Sequence, residues 1–243
     1  NIKAEEIKTI ESALDILSTG DVVINCIGVT KQIASVDIKD SIYINALFPH
    51  LLYELTFKGK IRLIHFSTDC VFSGSQGFYD LKSQSDATDI YGKTKSLGEI
   101  HRPLSLTLRK STIGLELENA HGLIEWWLSQ KGLIEGYDNA IYSGIIGSEL
   151  GNVLKLLIEG FPHLEGLYNL ASIPISKYDL LKKLQRRLGR EDIEIAKNTT
   201  FYCDRSLNGS EFSKITGYEA PSWDEMIGNL SKEIEDRNKQ NHV

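Results

Sequence analysis

Two short apolar runs decide what this chain can fold into. Val22 to Ile27 (VVINCI) and Ile61 to Phe66 (IRLIHF) each have the length of a buried strand, and small or polar residues close both. Between them, Ile38 to Phe57 sets Ile42, Leu47, Leu51, Leu52 and Leu55 on the apolar side of a helix, with Pro49 expected to kink it. Ahead of the first run, Lys3 to Leu17 places Ile7, Ile10, Leu14 and Leu17 at helical spacing among acids. Leu104 to Leu108 begins a third strand that continues towards Thr112. Strand and helix therefore alternate to about residue 115, the order of a doubly wound α/β fold with a parallel sheet covered on both faces.

Beyond that point the pattern loosens. Helices are expected over His121 to Lys131 with Trp126 and Trp127, over Ser148 to Glu159, from Ser176 to Gly189, and over Ser222 to Arg237. Ser176 stands where a hydroxyl caps a helix, and Gly189 where a glycine ends one. Leu167 to Leu170 reads as one short strand and Arg237 to Val243 as a disordered tail. The 243 residues suffice for one large domain or a core with a smaller lobe.

Charge and cysteine usage exclude several classes. A net charge of -6 leaves no basic footprint for nucleic acid and no polybasic patch for a membrane surface. No run approaches the roughly 18 apolar residues of a spanning helix, and no secretory signal precedes the first element. Cys26, Cys70 and Cys203 are odd in number and widely spaced, which argues against a disulfide framework and for a reducing, cytoplasmic setting. The six histidines are scattered without metal-ligand spacing, so no metal is expected.

The chemistry concentrates between Ser67 and Glu99. Ser67, Thr68 and Asp69 follow the second apolar run, and a loop rich in Gly, Ser and Asp leads to a helix start holding Tyr91 and Lys95. Four positions apart on a helix, a phenol and an ammonium share one face. Facing a hydroxyl at a strand end, they suit proton delivery to a carbonyl oxygen. The bland alternative for Ser67 to Asp69 is a loop start that satisfies its own backbone. A second Tyr-x-x-x-Lys, Tyr178 to Lys182, has no strand ending in hydroxyls before it and is read as structural. Gly28 and Thr30 end the first run, so both strand ends should open on one crevice.

VINCIG at Val23 to Gly28, STDCVFSG at Ser67 to Gly74, DATDIYGKTKSLGE at Asp86 to Glu99, LRKSTIG at Leu108 to Gly114 and ISKYDLL at Ile175 to Leu181 together resemble one family. It is the extended short-chain dehydrogenase/reductase family, in its dTDP-4-dehydrorhamnose reductase (sugar nucleotide-binding) group. The resemblance covers nearly the whole length. It implies a Rossmann-like domain over 1–115 and 140–172, with a substrate-binding lobe over 116–139 and 173–243. It also implies NADPH or NADH as cofactor, a nucleotide sugar as substrate, and allows a homodimer. Carried over, the catalytic residues are Thr68, Tyr91 and Lys95: Tyr91 the proton donor, Lys95 lowering its pKa and holding a ribose hydroxyl, Thr68 bonding the carbonyl oxygen. Gly28, Val29 and Thr30 fall beside the dinucleotide, Asp69 and Thr112 on the sugar side, and Asn45 on an asparagine that supports a water relay. Asn45 reads equally well as a polar helix residue. Trp126, Trp127 and Trp223 could stack a base, although aromatics at helical spacing are more often core.

One departure stands out. No G-x-G-x-x-G turn follows a strand and opens a helix, and Gly74 and Gly77 precede a long loop. Compared with a complete fold, ~60 residues comprising two strands and the phosphate loop are expected to be missing. Truncation is the favoured account, because a severed sheet would leave a buried edge unpaired. The leading expectation is NAD(P)H-dependent reduction of a 4-keto-6-deoxy nucleotide sugar. The alternative is a non-catalytic regulatory or scaffolding subunit on the same fold; epimerase or dehydratase chemistry lacks an accompanying acid/base pair.

Overall fold

The structure is a computed structural model that describes residues 4–116 and 122–240; the side chains before Thr9, Ile7 among them, lie outside the described set. The chain divides into two compact units. One comprises residues 1–73, 81–109 and 157–169, the other 74–80, 110–156 and 170–243.

The first unit follows the expected alternation. Helix α1 (Ala4–Leu14) leads to strand β1 (Val22–Asn25), the short helices α2 (Lys31–Ala34) and α3 (Ile38–Ser41), then helix α4 (Phe48–Lys58). Strand β2 (Arg62–Thr68), helix α5 (Ile90–Leu97) and strand β3 (Ser105–Lys110) complete the run. The sheet order is β1, β2, β3 and the strand Gly166–Asn169, with β1 parallel to β2 and β3 parallel to Gly166–Asn169. Every residue of β2 is buried, as a central strand covered on both faces requires. Phe48, Leu52 and Tyr53 of α4 pack with Leu63 and Ile100, and Ile10 and Leu14 of α1 join them. The apolar stripe read from α1 is thereby accounted for.

Two details differ from expectation. The run from Val22 was expected to be fully buried to Ile27, but β1 ends at Asn25 and only Asn25 in it is buried. Among the described residues β1 pairs on one side only, with β2, so its other edge adds no cover. The second difference lies in the helix over Ile38 to Phe57. Its irregularity comes before Pro49, as a π-helical segment over Ile42–Leu47 in which the Phe48 amide donates to Tyr43 O. Pro49 sits in the first turn of α4, where its missing N–H is harmless. A helix carrying an inserted residue is costly and is common at functional sites; Asn45 is inside this one.

The second unit contains strands that the apolar pattern did not single out. Gly132–Tyr137 runs parallel to Ile193–Asn198, and Thr112–Ile113 parallel to Ile145–Ile146. Ala140–Tyr142 pairs with Cys203–Asp204 in parallel and with Ile175–Ser176 in antiparallel register. Ile193–Asn198 alternates buried and less buried residues at its start, a period-2 signal hidden by its charged members. The helices agree within a few residues: Leu123–Ser129, Gly147–Glu159, Lys177–Leu188 and Trp223–Gln240. His121 lies outside the described residues, and the expected tail is helical as far as Gln240, with 241–243 outside. Ser176 Oγ accepts from the Asp179 amide and Gly189 ends its helix at φ +60°, as their residue types suggest. Among the described residues no helix is long and apolar enough to cross a membrane, and no group of side chains could hold a metal ion.

Candidate active site

The end of β2 turns directly into a single 3-10 turn, Asp69–Val71. Thr68 caps it: its Oγ1 accepts from the Cys70 amide at 3.1 Å and donates to Asp69 Oδ1 at 3.1 Å. Both halves of the bland reading are thus present, since the hydroxyl does serve its own backbone. That is not all it does. The Thr68 hydroxyl also lies close enough to the Tyr91 phenol to favour its ionised form.

Tyr91 reaches this point because α5 packs tightly on the turn. Asp89 caps the helix by accepting from the Gly92 amide at 2.8 Å. Gly92 lies so close to Cys70 O that any Cβ there would enter the carbonyl's van der Waals envelope. Lys95, one turn on, is buried and donates from Nζ to Phe66 O at 2.6 Å. From sequence, Lys95 is expected to pull the Tyr91 pKa down. The structure reverses the direction: burial pushes the phenol up, the Cys70, Asp69 and Asp89 charges add to it, and the Thr68 hydroxyl opposes them. Tyr91 is therefore held in its protonated form, the form able to give a proton.

The Gly28–Thr30 loop is attached to the same helix through the π segment. Asn45, fully buried, accepts from the Val29 amide at 2.8 Å and donates to Val29 O at 3.2 Å and to Thr94 Oγ1 at 3.4 Å. Both backbone polar groups of Val29 are thus held by one side chain. Lys31 adds a 2.9 Å ion pair to Asp89. A Cβ on Gly28 would stand 3.4 Å from Asn45 Oδ1 and 4.0 Å from Lys95 Nζ, so the bare glycine leaves the space beside the lysine open. Thr68, Asp69, Tyr91, Lys95, Gly28, Val29 and Thr30 all belong to the first unit. Thr112 belongs to the second, where its hydroxyl accepts from Lys110 Nζ at 2.7 Å.

The remaining candidates divide cleanly. Trp127 and Trp223 are core, the latter donating from Nε1 to Ile173 O at 2.7 Å, while Trp126 is 39% exposed. Lys182 of the second Tyr-x-x-x-Lys bonds Gln185, and the Tyr178 ring lies under Lys197 Nζ at 4.7 Å. Cys26, Cys70 and Cys203 form no disulfide among the described residues.

One residue of the strand escaped the sequence reading. His65 is completely buried in the middle of β2, its Nδ1 bonded to Asn25 Nδ2 at 3.1 Å and its Nε2 without a hydrogen-bond partner among the described residues. The Asn25 amide donates to Nδ1, which leaves the ring proton on Nε2. Burial, helped by the Lys95 and His50 charges, holds its pKa down at about 3. The unfolded chain takes up this proton near pH 6.5, so the native state loses stability as pH falls from there towards 3. Each pH unit in that window costs about 1.4 kcal/mol. Chemical denaturation of the protein and of His65→Gln at pH 7 and pH 5 should show a shallower pH dependence in the variant. Equal slopes would mean that His65 is not the group responsible.

The N-terminal two fifths of the chain carries these features. Residues 2–102 match the family model of the RmlD substrate binding domain. Comparison with curated protein sequences gives no match. Solved structures match strongly. The dTDP-4-dehydrorhamnose reductase of Bacillus anthracis str. Ames, in complex with NADP, superposes with a TM-score of 0.79 at 21% identity, over 93% of this chain and 85% of that one. A dTDP-4-dehydrorhamnose reductase from Clostridium acetobutylicum gives 0.80 at 18% identity, over 96% and 86%. The dTDP-glucose 4,6-dehydratase of Streptomyces venezuelae, solved with NAD bound, gives 0.76 at 13%, over 96% and 78%. The fold is accordingly a mixed α/β architecture of Rossmann-like type with a parallel sheet.

Proposed function

We propose that this chain carries out the NAD(P)H-dependent reduction of a 4-keto-6-deoxy nucleotide sugar, as dTDP-4-dehydrorhamnose reductases do. The observation that supports it most directly is the docking of α5 on the end of β2: Lys95 Nζ donates to Phe66 O at 2.6 Å, two residues before Thr68, and Tyr91 stands one helical turn from Lys95. The family match over residues 2–102 and a neighbour solved with NADP point the same way.

The residues fit a nicotinamide dinucleotide on one side at least. The glycine at 28 sets no side chain between its backbone and Lys95 Nζ, and the Val29 segment is pinned by Asn45. When bound, the dinucleotide supplies the hydride. The chain's own groups handle the charge that hydride addition creates on the ketone oxygen. Thr68 Oγ1 turns its one proton from Asp69 to that oxygen, and Tyr91 transfers its phenolic proton to it. Lys95, whose Nζ is anchored on Phe66 O, holds a ribose hydroxyl. Asp69, which accepts the Thr68 proton until the ketone arrives, faces the sugar. The cytoplasm is the compartment in which such a reduction is expected.

Fluorescence titration of the protein with NADPH and with NADH tests the reading, followed by turnover with a dTDP-4-keto-6-deoxy sugar. Saturable binding of one dinucleotide, with its oxidation upon adding the sugar, is expected. Absence of binding by either would leave the chain without a hydride source and overturn the assignment.

A further inference from the structure

Tyr91 and Lys95 share one face of α5, and Glu99 follows just past Gly98, where the helix ends. All three lie against the end of β2: the Tyr91 phenol is close enough to Thr68 for its hydroxyl to influence it, Glu99 accepts from Ser67 Oγ at 2.7 Å, and Lys95 donates to Phe66 O at 2.6 Å. Glu99 has a partner of its own. Arg109, near the end of β3, donates from Nε to Glu99 Oε1 and from Nη2 to Glu99 Oε2, both at 2.7 Å. The two side chains are only 4% and 5% exposed.

The same guanidinium lies 5.0 Å from the centroid of the Phe72 ring, and Phe72 is the residue that closes the turn carrying Thr68 and Asp69. One ion pair therefore grips that turn at both ends, Ser67 before it and Phe72 after it. Stability alone is a poor reason for the arrangement. A buried ion pair gains little over apolar packing once desolvation is counted, and Arg109 Nη1 is buried with no hydrogen-bond partner among the described residues. What the fork-to-fork contact supplies is direction.

We propose that Glu99 and Arg109 are positioning residues for the reduction, fixing Ser67 and Phe72 so that Thr68 stays in register with Tyr91. The proposal rests on the reductase reading above. Ser67→Ala is the sharpest variant, because it cuts the tie to β2 while leaving the Glu99–Arg109 pair intact. Arg109→Lys, which keeps the charge and loses the fork, is the companion.

Each variant should lose about tenfold in kcat with little change in KM, since small misplacements of reacting groups are costly. Amide hydrogen exchange over 68–72 should quicken in Ser67→Ala while the thermal midpoint stays near that of the parent. Unchanged kcat and unchanged exchange in Ser67→Ala would overturn the proposal, as would a lowered midpoint with kcat intact, which marks a structural brace. The exchange measurement needs no substrate. If the parent protein reduces no keto sugar, the reductase reading fails by itself and the Ser67 tie is still decided by exchange over 68–72.

Discussion

Tyr91→Phe should lower the rate of keto-sugar reduction by 10² or more, the usual contribution of a positioned general acid. The substitution removes one oxygen from a half-buried ring whose neighbours are otherwise undisturbed. Lys95 keeps its bond to Phe66 O, and Asn45 keeps the Val29 segment in place. Dinucleotide affinity should consequently change by no more than a few fold. The measurement is single-turnover oxidation of NADPH with parent and variant, each first titrated for cofactor binding. Wild-type turnover in Tyr91→Phe would remove the phenol from the donor role, whereas equal losses in turnover and affinity would assign it to cofactor binding instead.

The second large effect concerns Gly98, the residue at which α5 stops. Its backbone is right-handed and would accept any residue, so strain is not the issue. Space is. A Cβ at this position would overlap Asn45 O in the π segment and stand 3.3 Å from Pro49 Cγ. Neither is the movable tip of a long side chain. Gly98→Ala should destabilise the protein by about 3 kcal/mol, the upper part of the range for overpacking. For a chain of this size that lowers the thermal midpoint by roughly 6–12 °C. The same displacement moves Asn45, so the Val29 segment should loosen and NADPH affinity fall with it. Calorimetry beside a fluorescence titration separates the two consequences. A fully stable variant would show that the π segment yields freely, and the close approach would then matter little.

How much of this was legible in the residues follows from how local each signal is. The strand at Ile61, the Tyr91 helix and the cap at Ser176 depend on short patterns, and all appear within a few residues of expectation. Residue type and spacing single out Thr68, Tyr91 and Lys95 as candidates, and the structure sets Lys95 on the Phe66 carbonyl, two residues before Thr68, with Tyr91 one turn along the same helix. What was not legible depends on partners distant in sequence. The direction of the Tyr91 shift is set by burial under its surroundings, and an i+4 lysine gives no hint of that. Lys95 spends its ammonium on a strand carbonyl 29 residues earlier. Asn45 reads from the sequence equally well as a water-relay asparagine and as a polar helix residue, and neither reading shows its bonds to Val29, which depend on the π segment. His65 sat inside a run read simply as apolar, although a histidine at a central strand position was the available clue. The strands of the second unit are short and carry charges on their outer faces, so neither period dominated their windows.

The line of contacts from α5 to β2 sets a rule about length rather than composition. Removing or adding one residue between Tyr91 and Lys95 would swing everything beyond it on the helix by roughly 100° about its axis. The outward positions Lys93 and Leu97 are exposed and free to be exchanged for other residues. Relatives that keep this chemistry can therefore drift in sequence along the helix, yet the count of four steps from phenol to ammonium has to stay the same.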